Sequence, residues 1–211
     1  MGVFGDDSKI KPVPKEEPVS QITTPKPIPD AVKPVPTVAP KPVTNAFAPW
    51  FSKAMEYIGL REIAGIKHAP LIVRMWSRIK MAGIKDDETP WCAAFVGSCL
   101  EENNIKSTRT GWALDYAKWG QKLDYPAQGA IAYKKRVNSA GKVIGGHVAF
   151  VAGQDEIGRV MLLGGNQGNK VGIDPFGVSG IMGYRWPNGY PLPPRAPLPL
   201  VKGGKISVSE A

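Results

Sequence analysis

Ten of the first 45 residues are proline, at positions 12, 14, 18, 25, 27, 29, 34, 36, 40 and 42, and the only aromatic among them is Phe4. Proline fixes φ and removes a backbone donor, and such a composition has too little apolar surface to bury. Residues 1–45 are therefore expected to form an extended, polyproline-II-like arm, which at ~3.1 Å per residue would reach about 140 Å. Whatever folds must lie beyond the arm. A second proline-rich run, Tyr190-Pro191-Leu192-Pro193-Pro194-Arg195-Ala196-Pro197-Leu198-Pro199, is equally unsuited to the interior of a helix or strand, so 188–211 reads as a tail or a wrapping segment. Between the two lies a segment, 46–187, long enough to bury one core without metal or disulfide. The arm carries a formal charge of +1 out of +9, so the basic part of the chain is the part that folds.

Hydrophobic periodicity in that segment changes once. Helical patterns run near 49–58, 70–81, 90–103 and 111–119, and short apolar, β-branched runs come after them near 130–133, 147–152, 160–163, 171–173 and 181–186. Helices first and strands afterwards, without alternation, predict an α+β domain with an antiparallel sheet.

The third helical pattern carries the chemistry. In Thr89-Pro90-Trp91-Cys92-Ala93-Ala94-Phe95-Val96-Gly97-Ser98-Cys99-Leu100, apolar residues recur at Cys92, Phe95, Val96, Cys99 and Leu100, the spacing of a helix with one buried face. With Thr89 as N-cap and Pro90 at the first helical position, Cys92 falls in the first turn, where unpaired N–H groups and the helix dipole favour a thiolate. Cys99 reads as a small buried hydrophobe. Seven residues of helix at ~1.5 Å each separate the two thiols by about 10 Å, beyond the ~7 Å limit for a disulfide.

A nucleophilic cysteine needs a base, and the sequence contains two histidines, His68 and His147. His147 opens the strand pattern Gly146-His147-Val148-Ala149-Phe150-Val151-Ala152, with glycines beside it that leave open space for a substrate. His68 stands in a loop before Pro70 and is the weaker candidate. The short turn 154–158 predicts a hairpin that returns Gly164-Gly165-Asn166-Gln167-Gly168-Asn169 towards His147. Asn166 is then placed to fix the imidazole's orientation. The same run also reads simply as a turn-forming loop, because Gly and Asn tolerate left-handed backbone.

In that order, Pro90-Trp91-Cys92-Ala93-Ala94-Phe95-Val96, Gly146-His147-Val148-Ala149-Phe150 and Leu163-Gly164-Gly165-Asn166-Gln167-Gly168 resemble the CHAP family of cysteine, histidine-dependent amidohydrolases/peptidases and the related NlpC-type cell-wall peptidases. The resemblance spans about 47–187. It implies a papain-like α+β fold and hydrolysis of amide bonds in bacterial peptidoglycan, with Cys92 as nucleophile, His147 as base and Asn166 as the residue that orients it. The Cys92 backbone N–H and a second, open donor would form the oxyanion hole. Trp91, Gly146 and Gln167 are the expected substrate contacts, Trp91 lining a groove beside the nucleophile. One position departs from the family pattern: an Asp commonly follows the glycine that begins the strand before the histidine strand, where this chain has Gly129-Ala130. No metal or other cofactor is implied.

Other functions find less support. Lys134-Lys135-Arg136 is the only dense basic run and reads as the solvated tip of a hairpin, so the positive charge suits an anionic wall polymer or envelope surface better than nucleic acid. The glycine-rich loop lacks a P-loop Lys-Ser/Thr. No apolar run is long enough to cross a membrane, and a start bearing Asp6 and Asp7 reads as no secretory signal. The expectation is a monomer made in the cytoplasm that acts on the wall. A phage lysin is the first reading; a virion-associated hydrolase, a secretion-system toxin, or a non-catalytic wall-binding or structural module are the others.

Overall fold

The computed structural model describes residues 48–177 and 180–202, all within one unit, Pro42–Ala211. The arm read over 1–45 lies outside the described residues. Three helices lead: α1 (Pro49–Glu56), α2 (Pro70–Arg78) and α3 (Cys92–Glu101). Both α1 and α2 open on proline, whose missing N–H is harmless in the first turn. The fourth expected helix is a short 3-10 segment, Ala113–Lys118. Six strands come next: β1 (Gln121–Leu123), β2 (Ile131–Val137), β3 (Val143–Gln154), β4 (Val160–Gly164), β5 (Gly172–Phe176) and β6 (Gly183–Trp186). They form one antiparallel sheet in the order β1-β6-β2-β3-β4-β5. The domain is α+β, and β1 is the strand that periodicity did not register.

Helix α3 differs from its expected form in two ways. Its N-cap is Trp91, with Phe95 N–H donating to the Trp91 carbonyl, while Thr89 is tied into the preceding turn by Asp86 Oδ1, 2.7 Å from its N–H. The helix also has no solvent face: Cys92 to Leu100 are all buried, between α1 and α2 on one side and β3 and β4 on the other. Gly97 permits the approach of α2, since a Cβ there would lie 2.6 Å from Ile79 Cγ2.

The basic run is not a hairpin tip. Lys134, Lys135 and Arg136 lie within β2, paired with His147, Gly146 and Gly145 of β3. The turn comes later, around Asn138 and Gly141. The proline-rich segment after β6 wraps rather than trails. Tyr190 packs its ring on Trp50 at 4.9 Å, Trp186 Nε1 donates to the Pro191 carbonyl at 2.9 Å, and Tyr125 OH donates to that of Pro193. Further along, Gln154 N–H donates to Pro199 O and Val201 N–H to Gln154 O. Gly153 makes that contact possible, because a Cβ would fall 2.3 Å from Pro199 O. Proline suits such a strap: it stays extended without requiring backbone donors to be paired.

Candidate active site

Cys92 is the first residue of α3, so its own N–H and those of Ala93 and Ala94 precede the first intrahelical bond and point out of the helix end. The residue is buried, at 6 % exposure. Burial alone pushes the thiol up, but a hydrogen bond and positive charge from His147, with backbone N–H groups of Val148 and Ala93, outweigh that and hold it below the ordinary thiol range. Cys99, also buried, seven residues on, has only the more distant charges of Arg78 and Lys53 in its favour; burial and the nearby Glu102 outweigh them and push it well up. Both cysteines are free thiols.

His147 is the fifth residue of β3 rather than its start, and it is buried at 3 % exposure, not open to space. The gap beside Gly146 is taken by Leu114, which a Cβ would meet at 2.7 Å, so Gly146 permits close packing there. The imidazole stacks on Phe176, with ring centres 5.6 Å apart and planes inclined by 11°. Its Nε2 lies 3.0 Å from Gln167 Oε1. Gln167, not Asn166, therefore holds the imidazole: Asn166 Oδ1, the acceptor that role needs, is buried without a hydrogen-bond partner. Gln167 in turn is no substrate contact. It is buried at 1 % exposure, and its Nε2 donates to Leu162 O, Gly172 O and Asp174 Oδ2 at 3.2, 3.0 and 3.0 Å. With His147 Nε2 engaged, Nδ1 is the nitrogen that remains to meet the sulfur.

The loop sequence now has a physical reading. Asn166, Gly168 and Asn169 adopt left-handed backbone, with φ of 57°, 61° and 59°, and Gln167 N–H closes the turn on Lys170 O. Gly164 and Gly165 serve close approach. A Cβ at Gly164 would stand 2.3 Å from Gln167 Oε1, and one at Gly165 would stand 2.5 Å from the Trp91 ring and 2.6 Å from Phe95 Cβ. One glycine admits the amide that holds the His147 imidazole, and the other admits the start of α3.

Trp91 does not line a groove. It is fully buried, edge-on to Phe95, and its Nε1 donates to Glu62 Oε1 at 2.7 Å. Burial holds the Glu62 carboxyl above its usual range against that bond, and the charges of Asp87 and Glu88 add to the rise. Glu62 belongs to a cavity of about 390 Å³ lined also by Arg61, Ile63, Ala64, Glu88, Gly168 and Asn169. The cavity lies between the segment that carries Glu62, the acceptor for Trp91, and the loop that carries Gly168 and Asn169. His68 is paired elsewhere, its Nδ1 3.0 Å from Oδ1 of the buried Asp87. Among the described residues no group of three or more His, Cys, Asp or Glu side chains is placed to hold a metal ion, and no helix is long and apolar enough to cross a membrane.

Sequence reasoning missed Asp174, Phe176 and the part played by Gln167. Asp174 left a signal, an acid inside an otherwise apolar strand. Pro175 beside it is tolerated because β5 is an edge strand. No protein-family model matches this chain, and no curated protein matches it.

Proposed function

We propose that this protein is a cysteine hydrolase of papain-like type that cleaves amide bonds of bacterial peptidoglycan. The observation that carries the chemistry is the thiol at the start of α3, hydrogen-bonded to an imidazole whose other nitrogen is held by Gln167. In this reading the Cys92 thiolate attacks the carbonyl carbon and forms a tetrahedral intermediate. Its oxyanion is met by the N–H groups of the helix start. His147 gives its proton to the leaving amine, then takes one from the water that hydrolyses the thioester. The choice of substrate rests on the resemblance of the three sequence motifs to CHAP and NlpC-type enzymes and on the +8 charge outside the arm, which suits an anionic wall. A phage lysin is the setting we propose.

The test is digestion of purified peptidoglycan with fragments read by mass spectrometry. Wild-type protein should release peptides or bare glycan, and the new ends name the bond. Cys92→Ala and His147→Ala should lose at least ~10³-fold in rate while remaining folded, and His68→Ala should lose little. Retained turnover in folded Cys92→Ala would sink the mechanism. Intact wall binding without cleavage by the wild type would instead support a binding module.

A further inference from the structure

We propose that Asp174 is a positioning residue that sets the proton on His147 by fixing which way the Gln167 amide points; the proposal rests on the reading of Cys92 and His147 as nucleophile and base. A primary amide can turn over, exchanging its oxygen and its NH2 group at nearly constant shape. Here the NH2 end meets three acceptors: the carbonyls of Leu162 and Gly172, and Asp174 Oδ2 at 3.0 Å. Turned over, Gln167 would set its oxygen against those three oxygens, one of them a carboxylate, with all donors lost. The orientation observed is therefore enforced, and Asp174 is the charged member of the set. Strand pairing puts it there, since Asp174 stands opposite Leu162 in the β4–β5 ladder.

The consequence passes to His147. Oε1 of Gln167 can only accept, so the proton sits on Nε2 and the basic lone pair on Nδ1 faces the thiol. It also favours the imidazolium that pairs with the thiolate, whereas a turned amide would oppose it. Among the described residues, Cys92 acts on the ring directly, and Lys134, the cross-strand partner of His147, sets its Nζ 4.5 Å from the centre of the Phe176 ring on which the imidazole stacks.

The test uses full-length protein and needs no wall substrate. Iodoacetamide alkylation of Cys92, followed by peptide mass spectrometry across pH, reports the thiolate, and 15N NMR reports the tautomer of His147, one of two histidines in the chain. In Asp174→Ala, checked for folding by its thermal transition, we expect the alkylation profile to move to higher pH, the rate at pH 6 to fall about tenfold, and the Nε2–H signature to weaken. Asp174→Asn, which keeps an acceptor, should restore most of the rate. A folded Asp174→Ala with an unchanged profile and tautomer overturns the proposal. Should that variant not fold, the wild type still decides: protonation of His147 on Nδ1 instead of Nε2 overturns it. A wild type that alkylates as expected but leaves peptidoglycan intact defeats the substrate reading and not this one.

Discussion

At the scale of single residues, the contrast between Cys92 and Cys99 is one of surroundings, since both are buried on the same helix. Cys92 has an imidazole and backbone donors against its sulfur; Cys99 has burial and a nearby carboxylate. A depressed thiol pKa means that the thiolate survives below the ordinary thiol range of about 8.5 and is lost only as pH falls through the lowered value. The stability that comes from the lowered thiol pKa has the same sign: it is present above the unfolded thiol's pKa and disappears as pH falls through the folded one. Alkylation followed by peptide should therefore find Cys92 modified at pH below that at which an ordinary thiol reacts and Cys99 untouched until the protein unfolds. In His147→Ala the Cys92 profile should shift upward, because only the backbone N–H groups of Val148 and Ala93 then oppose burial. Equal reactivity of the two thiols in folded protein would contradict this account.

At the scale of elements, the strap after β6 is the part whose contribution is easiest to isolate. It supplies the Tyr190 ring against Trp50, the Pro191 acceptor for Trp186 Nε1, and the Pro199 and Val201 bonds to Gln154 at the end of β3. An aromatic pair contributes about 0.5–1.5 kcal/mol beyond its burial, and a buried donor left without its acceptor costs about 1–3 kcal/mol. Ending the chain at Pro187 should thus lower stability by about 3 kcal/mol or more in urea unfolding. The Cys92–His147 pair should persist in whatever fraction remains folded, since Gln167, Val148 and Ala93, which bond to it, all lie ahead of the strap. A truncated protein as stable as the full chain would mean that the strap merely lies on the surface.

At the scale of the whole molecule, the proposed chemistry is expected to be separable from the proline-rich arm. The arm supplies no candidate nucleophile or base and only +1 of the charge. A protein consisting of residues 46–211 should fold and digest purified peptidoglycan at close to the full-length rate. That rate should fall as salt rises, because screening of the basic surface weakens attraction to an anionic wall. The full-length chain should be cut by proteases in the arm before the domain. A folded 46–211 protein that is inactive on purified wall would make the arm part of the substrate site, and a rate insensitive to salt would remove the role given to the charge.

Much of the molecule was legible in the sequence because the signals were local. Pro49 and Pro70 mark helix starts, the period of apolar residues separates α3 from β3 and β4, and the step from helical to alternating pattern predicts α+β with an antiparallel sheet. Cys92 at a helix start and His147 on a strand come from the same signals. What depends on contacts between distant segments was not legible. Periodicity made α3 one-sided, yet α1 and α2 close over its other side; Trp91 looked like groove lining, yet Glu62 and Gly165 meet it in the interior. Asn166 and Gln167 are neighbours in one tight turn, and the sequence reading assigns the imidazole to Asn166 and substrate contact to Gln167, whereas it is Gln167 that meets His147. The choice was made by the carbonyls of Leu162 and Gly172 and by Asp174, brought together by β4–β5 pairing, because an amide's direction is set by the acceptors around it and those belong to other strands.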